Sequence, residues 1–288
     1  MKRFHYVKAG SIREAYEFLF EHPYSTRILA GGTDLVVEIR MNGKSVCDME
    51  YVLDISGLKS LDGIREKAGM ITIGALTTHE EASNCALIQN KAPLLAKACG
   101  LVGGPQTRAR GTVGGNICNA STCADSVTAL VALDASLHFS SINGNRQVPL
   151  LTFLLTKEKN RILPGELLTE ISFAALNENE TSAYIKLGRR KALAIARMNA
   201  GAVIERKDGI ITNARISVGA ACPTQRRLGE VESHLIGRRP DEKALTEACG
   251  EAGKEMVEIT GVRWSTEYKE PVIRTLVKRC VEQALGVE

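Results

Sequence analysis

Hydrophobic positions in the first part of the chain alternate between helical and strand-like spacing. After Ser11 and Glu14, which have the spacing of a capping box, apolar side chains recur on one helical face until Pro23 ends the pattern. Short apolar runs at 27–30 and 51–54 have the length and composition of strands. A second helical pattern lies between these two runs. The alternation predicts a small α/β unit.

The spacing changes in the middle of the chain, where strand-like runs at 70–75 and 167–173 enclose several helical segments. A second capping box begins the first of these helices at Thr78. Asn143 and Gly144 interrupt two further strand-like runs, and this dipeptide is typical of the positive φ values in a type I′ turn. The middle segment is therefore predicted to contain a sheet that a hairpin extends.

The last third of the chain places strand patterns before helical ones. Runs at 183–186, 195–204 and 210–218 have strand composition, and Asp208 with Gly209 joins the last two as a hairpin. Helical patterns follow to the C-terminus. This order predicts an α+β domain with a small antiparallel sheet and helices on one face.

Composition and charge exclude several classes of protein. The 288 residues are 44% hydrophobic and 24% charged, which is ordinary globular material and enough for two or three compact units. The net charge is +4 with basic and acidic residues intermixed, and aromatic residues make up only 5%. Nucleic acid is an unexpected partner for such a chain. The sequence has no run of eighteen apolar residues and no signal-peptide core, so we expect a cytoplasmic protein.

The cysteines do not predict a metal or catalytic site. Eight are present, and none forms the C-x2-C pairs that zinc and iron–sulfur sites usually need. The nearest two, Cys118 and Cys123, have no second pair or histidine at ligand spacing. The five histidines complete no recognised nucleophile motif with them. We therefore expect free thiols, no metal ligands and no catalytic nucleophile among these cysteines and histidines.

Two glycine pairs raise the question of a phosphate site. Gly31 and Gly32 follow a predicted strand directly, and Gly114 with Gly115 closes a second glycine-rich loop. A diphosphate needs converging N–H donors at about 2.8 Å, which a backbone supplies where no Cβ intervenes and a helix begins. The Asp34 carboxylate repels a phosphate unless it caps its helix or accepts from a ribose. Neither loop matches the Rossmann or P-loop pattern, so from the residues alone both a phosphate clamp and two tight turns stay open.

Longer segments around these glycines resemble a known family. LAGGTDL at 29–35, PQTRARGTVGGN at 105–116 and ICNASTCAD at 117–125 are similar to the FAD-binding (medium) subunit of the molybdenum hydroxylases. That family includes xanthine, carbon monoxide and nicotinate dehydrogenases. The resemblance extends over essentially the whole chain, including segments 164–168 and 186–190 and the strand–helix tail.

The resemblance implies an α+β chain of three units. Residues 1–55 and 56–176 would form the two subdomains of a FAD-binding fold of the p-cresol methylhydroxylase and vanillyl-alcohol oxidase type. Residues 177–288 would form a C-terminal α+β domain of the carbon monoxide dehydrogenase flavoprotein type. For that domain we expect a three-stranded antiparallel sheet covered by helices.

The resemblance also implies a set of FAD contacts at matching positions. The two glycine loops should hold the diphosphate and adenosine, while single residues further along the chain meet the ribose and the flavin ring. The expected FAD-binding residues are Ile28, Leu29, Ala30, Gly31, Gly32, Thr33, Asp34, Leu35, Gly103, Thr112, Val113, Gly114, Gly115, Asn116, Asp125, Leu168 and Lys186.

Several single residues have a structural alternative. Asp125 is expected to accept from ribose hydroxyls, Leu168 to contact a ring face and Lys186 to lie near the isoalloxazine edge. The alternatives are a helix cap, a core side chain and a solvated lysine respectively. We expect His79, inside the capping box, to be a surface residue. The single tryptophan, Trp264, is expected to anchor the C-terminal domain.

The function implied by the resemblance is electron transfer through FAD. Such a subunit accepts electrons from 2Fe-2S clusters on a small partner subunit and passes them to NAD or another acceptor. Molybdopterin would lie on a large partner subunit, in a dimer of heterotrimers. Two alternatives stay open at this point. One is a self-contained FAD-dependent reductase similar to UDP-N-acetyl-enolpyruvoylglucosamine reductase, and the other is a non-enzymatic assembly module.

Overall fold

The computed structural model describes residues 3–157 and 161–287, which fold into three β-sheets with helices packed on them. The N-terminal sheet is parallel, with strand order β1-β3-β2. Its elements are β1 (His5–Lys8), α1 (Ile12–Glu21), β2 (Thr26–Leu29), α2 (Leu35–Met41) and β3 (Tyr51–Asp54). Within the described ranges, no helix has the length and apolar character needed to cross a membrane.

The helix ends of this first unit follow local chemistry. The Ser11 hydroxyl caps α1 by accepting from the Glu14 amide at 3.2 Å. In a complete capping box the Glu14 carboxylate would accept from the Ser11 amide. Here it accepts from the Gly10 amide, one residue earlier. Helix α2 is followed by Asn42, whose φ of 49° is left-handed, a conformation that often ends a helix.

The middle unit is an antiparallel sheet of five strands in the order β4-β5-β8-β6-β7. Most of its helices lie between β5 and β6, and the eight residues of α8 are all buried. Its elements are β4 (Ile64–Lys67), β5 (Met70–Gly74), α3 (His79–Asn84), α4 (Ala86–Lys91), α5 (Pro93–Gly100), α6 (Pro105–Arg108), α7 (Val113–Asn119), α8 (Asp125–Ala132), β6 (Ser136–Ser141), β7 (Gly144–Pro149), α9 (Leu150–Leu155) and β8 (Leu167–Ala174).

The two local motifs predicted for this unit have different outcomes. The capping box at Thr78 is complete, because its hydroxyl accepts from the Glu81 amide and the Glu81 carboxylate accepts from the Thr78 amide. The type I′ turn is wrong. Gly144 already pairs with Ser141 in the ladder, so the chain reverses one residue earlier, where neither connecting residue has a positive φ.

The C-terminal unit is an antiparallel sheet in the order β12-β11-β10-β9, with helices packed on it. Its elements are β9 (Glu180–Gly188), β10 (Ala196–Lys207), β11 (Ile210–Gly219), β12 (Arg226–Arg227), α10 (Gly229–Leu235), α11 (Glu242–Thr260) and α12 (Thr266–Leu285). Asp208 and Gly209 form the expected hairpin with φ values of 53° and 76°.

Two expectations for this unit need correction. The sheet has four strands instead of three, because Arg226 and Arg227 pair with the end of β11. A two-residue strand of arginines has no hydrophobic periodicity, so tertiary pairing alone creates it. Trp264 does not anchor the domain, since it is 96% exposed in the connection between α11 and α12. The core is built from the apolar faces of those two helices and of the sheet.

Candidate cofactor-binding site

The two glycine loops are in direct contact. Loop 1 (residues 30–34) joins β2 to α2, and loop 2 (residues 109–112) joins α6 to α7. A Cβ on Gly31 would overlap the Arg110 carbonyl oxygen and lie 3.0 Å from the Gly111 Cα. Gly31 is therefore required by the packing of one loop backbone on the other, at a separation that no side chain permits.

Loop 1 and the first residue of α2 present a run of unused backbone donors. Gly32 has a φ of 76°, a value that glycine adopts without strain. In the part of the chain that the structure describes, the N–H groups of Gly32, Thr33, Asp34 and Leu35 form no hydrogen bond. Asp34 precedes α2 without capping it, and its carboxylate lies 3.5 Å from the Thr33 hydroxyl. Successive free amides of this kind are what an anionic oxygen binds.

The amides that follow loop 2 are already engaged. The Val113 and Gly114 amides donate to the carbonyls of Thr77 and Ala75, at 2.9 and 3.0 Å. The Gly115 amide donates to the Thr112 hydroxyl at 3.0 Å, which caps α7. The glycines here let α7 approach the end of β5, where a Cβ on Gly114 would lie 2.9 Å from the Ala75 Cα. Cofactor contact by residues 112–116 stays a prediction, since the Val113, Gly114 and Gly115 amides already have partners within the chain.

His79 lies beneath the contact between the loops and not on the surface as expected. It is 2% exposed, because the completed capping box places the first turn of α3 against loop 2, where the His79 amide donates to the Gly111 carbonyl at 3.0 Å. Its Nδ1 is enclosed without a hydrogen-bond partner in the described residues. Burial, with a smaller effect of the Arg108 guanidinium, lowers the pKa of His79 to about 4.

The depressed pKa of His79 predicts a specific pH dependence of stability. The unfolded chain, with an ordinary histidine pKa near 6.5, binds a proton that the folded chain excludes down to about 4. The free energy of unfolding therefore has its full value above pH 6.5 and falls between pH 6.5 and pH 4. At pH 5 it should be about 2 kcal/mol lower than at pH 7.5. Urea unfolding at both pH values should show this loss, and the H79Q variant should lack that part of it. An identical pH slope in the two proteins would contradict the assignment.

Asp125 is held in a buried network that joins the middle unit to the C-terminal sheet. Its carboxylate accepts from the Tyr184 hydroxyl at 2.6 Å, from Lys186 Nζ at 2.6 Å and from the Asn199 side-chain amide at 3.2 Å. Lys186 also donates to the Leu101 carbonyl at 2.9 Å. Burial, followed by the charge of Asp125, raises the pKa of Tyr184 well above its usual value. The two predicted site residues Asp125 and Lys186 therefore bind each other.

These contacts exclude two of the structural alternatives. Asp125 does not cap α8, because Ala124 is the residue before that helix. Lys186 is not solvated, since its side chain is only 9% exposed. Leu168 is a core side chain, 4% exposed and paired across the sheet with Phe139. That these three residues also contact FAD stays a prediction.

Tyr184 and Asn199 were missed by the sequence interpretation, although each left a signal. Asn199 is a fully buried polar residue inside an apolar strand, and Tyr184 shares a strand face with Lys186 at a spacing of two. A hydrogen bond of 2.9 Å from the Asn116 side chain to Ser126 connects α7 to the start of α8. Loop 2 is thus linked through two helices to the buried network.

Comparison with known proteins identifies the class of protein to which this chain belongs. Residues 2–174 match the family model described as the FAD binding domain in molybdopterin dehydrogenase. Residues 183–284 match the CO dehydrogenase flavoprotein C-terminal domain. The chain therefore belongs to the FAD-binding subunits of the molybdopterin dehydrogenases, and it is a flavoprotein subunit of an oxidoreductase. The resemblance stated from the sequence is confirmed.

Individual relatives cover nearly the whole chain. The 6-hydroxypseudooxynicotine dehydrogenase complex subunit alpha of Paenarthrobacter nicotinovorans is 32% identical, over 98% of this chain and 94% of the relative. The nicotinate dehydrogenase FAD-subunit of Eubacterium barkeri is 30% identical, over 97% and 95%. A solved carbon monoxide dehydrogenase from Hydrogenophaga pseudoflava superposes with a TM-score of 0.91 at 27% identity, covering 99% of this chain and 98% of that one.

Proposed function

We propose that the chain binds FAD with its diphosphate at the contact between loop 1 and loop 2 and transfers electrons through it. The observation that carries this proposal is the run of four free amides from Gly32 to Leu35, beside the packed pair Gly31 and Gly111. A diphosphate supplies the acceptors that such donors lack. The Thr33 hydroxyl adds a donor at the same place. The donor set therefore fits the cofactor that the family implies.

The chain's own residues would bind and orient the cofactor. FAD, when bound, accepts and releases electrons singly or in pairs. Asp125 accepts three hydrogen bonds of the roughly four that a carboxylate can accept, so one site remains for a ribose hydroxyl. Lys186 uses two of its three N–H donors, so one remains for the flavin edge. Both proposed contacts are thus compatible with the buried ion pair.

The family supports a proposal for the place of the chain in electron transfer. We propose that it accepts electrons from 2Fe-2S clusters on a small subunit, while a large subunit holds molybdopterin, and that NAD or another acceptor receives them. A dimer of heterotrimers in the cytoplasm is the proposed assembly. The units 1–55 and 56–176 would form a FAD-binding fold of the p-cresol methylhydroxylase type, followed by the C-terminal domain 177–288.

FAD binding by the isolated chain tests the proposal. Purified protein titrated with FAD should bind one equivalent. Binding should quench the fluorescence of the flavin and shift the visible spectrum of the flavin. ADP should compete, because it carries the diphosphate that loop 1 is proposed to hold. Absence of flavin binding, also after co-expression with large and small subunits, would refute the proposal and favour an assembly module. A single chain that turns over a substrate alone would favour the self-contained reductase.

A further inference from the structure

One buried side chain at the contact between the loops lacks a role in the fold. His79 is 2% exposed, yet no hydrogen bond of its ring is formed with any described residue. Enclosing a polar nitrogen without a partner is unfavourable, and an apolar side chain of similar size would fill the same space at lower cost. A histidine at this position therefore requires an explanation outside the packing of the apoprotein.

The chemistry of the ring determines which nitrogen carries the proton. Burial keeps His79 neutral at ordinary pH, so one ring nitrogen is a donor and the other a bare acceptor. Nδ1 is the nitrogen that is enclosed without a partner. Orphaned N–H groups are rarer than under-satisfied acceptors in folded proteins. The proton is therefore assigned to Nε2, and the ring presents an Nε2–H donor.

The Cδ2 edge of the His79 ring lies against Gly111 of loop 2. Nε2 is bonded to Cδ2, and a Cβ on Gly111 would lie 3.5 Å from this Cδ2. The same position is 3.4 Å from the Thr33 hydroxyl oxygen. Gly111, the Thr33 hydroxyl and Cδ2 of His79 thus lie around one point, together with the Thr107 carbonyl oxygen at 2.9 Å and close to the free amides of loop 1. Any side chain on Gly111 would cover it.

We infer that His79 is a further binding residue of this site, and that its Nε2–H donates a hydrogen bond to the diphosphate of the bound dinucleotide. The inference rests on the proposed function and adds a side-chain donor from α3 to the backbone donors of loop 1. A neutral donor suits this position, because the Arg108 guanidinium already places a positive charge nearby. Histidine supplies the donor on a short, rigid side chain whose other edge is buried.

Two variants separate hydrogen bonding from packing. H79Q keeps an N–H donor near the position of Nε2, and H79L keeps the volume without any donor. Since hydrogen bonds to charged groups are the stronger ones, H79L should weaken binding of both FAD and ADP by about 10-fold or more. H79Q should stay within about threefold of the wild type. Isothermal titration with each ligand measures these constants, and the unfolding midpoint of each variant is recorded alongside.

Each contrary result has a distinct meaning. Equal weakening by both variants would show that the ring acts by packing alone and would overturn the inference. Weaker FAD binding with unchanged ADP binding would also overturn it, because the acceptor would then lie outside the diphosphate. Failure of the wild type to bind FAD would overturn the proposed function itself. If H79L does not fold, the nitrogen-15 measurement described next decides, because it does not use that variant.

A spectroscopic readout tests the assignment independently of affinity. Nitrogen-15 labelling of the five histidines, with H79Q to identify the signal, reports which ring nitrogen is protonated. The free protein should show the Nε2–H form of His79, and this proton should move downfield when ADP is added. An Nδ1–H form, or a proton signal that ADP leaves unchanged, would overturn the inference.

Discussion

A G31A variant is expected to lose FAD retention, by about 100-fold or more in affinity. The added Cβ would overlap the Arg110 carbonyl oxygen and approach its carbonyl carbon to 2.7 Å. Both neighbours are backbone, so the loops must separate instead of letting a side chain rotate away. Over-packing of this kind also costs about 1–3 kcal/mol of stability. Flavin content after gel filtration, with urea unfolding of the apoprotein, measures the two effects.

A matched glycine in the same chain provides the control. Gly250 lies inside α11, and a Cβ there would meet no atom within 4 Å. G250A should bind FAD as the wild type does, and it should be more stable by up to about 1 kcal/mol because alanine favours a helix. Full flavin content in G31A would mean that the loops can part without loss of the cofactor. That result would remove the loop contact from the proposed site.

Breaking the pair of Asp125 and Lys186 is expected to be the most destabilising single change, at about 3–5 kcal/mol. In D125N the Lys186 ammonium loses its counter-charge and keeps only uncharged oxygens as partners, in a place where both side chains are at most 9% exposed. The contact of the C-terminal sheet with α8 would also be weakened, since Tyr184 and Asn199 donate to the same carboxylate and would meet an uncharged amide in its place. The free energy of urea unfolding measures the loss.

A double-mutant cycle isolates the ion pair from its surroundings. The D125N/K186M variant removes both charges. Its loss in free energy of unfolding should be smaller than the sum of the losses in D125N and K186M, by more than about 1 kcal/mol. Arg13 and Glu17, an exposed pair on α1, serve as the comparison, and R13A should change stability by less than about 1 kcal/mol. Additive losses at Asp125 and Lys186 would show that the pair contributes no more than a surface contact.

The features that could be predicted from the sequence are those that depend on residues within about four positions. The capping box at Thr78 and the turn at Asp208 and Gly209 formed as predicted, because each satisfies its hydrogen bonds or its φ values locally. The turn at Asn143 was wrong by one residue, since the register of β6 with β7 and not the dipeptide sets where the chain reverses. Local signals therefore predicted which helices, strands and turns form better than they predicted the residues at which these elements end.

The candidate site was predicted in part for the same reason. Two adjacent glycines after a strand mark loop 1 in the sequence, and its free amides lie there in the structure. The similar glycines of GTVGGN gave the same signal, yet the Gly114 amide is used by Ala75, a partner 39 positions earlier in the chain. Sequence alone cannot show whether an amide is already paired, because the partner comes from a different element.

By itself, the sequence determined the family, the alternation of helices and strands, and the two loops where glycine is required. Only the tertiary structure decided that Gly31 packs on Arg110, that His79 is buried without a ring partner and that Asp125 pairs with Lys186. Asp125 and Lys186 are 61 positions apart in the chain, and Gly31 and Arg110 are 79 positions apart. Their chemistry is set by desolvation and close packing, which exist only once the three sheets have assembled.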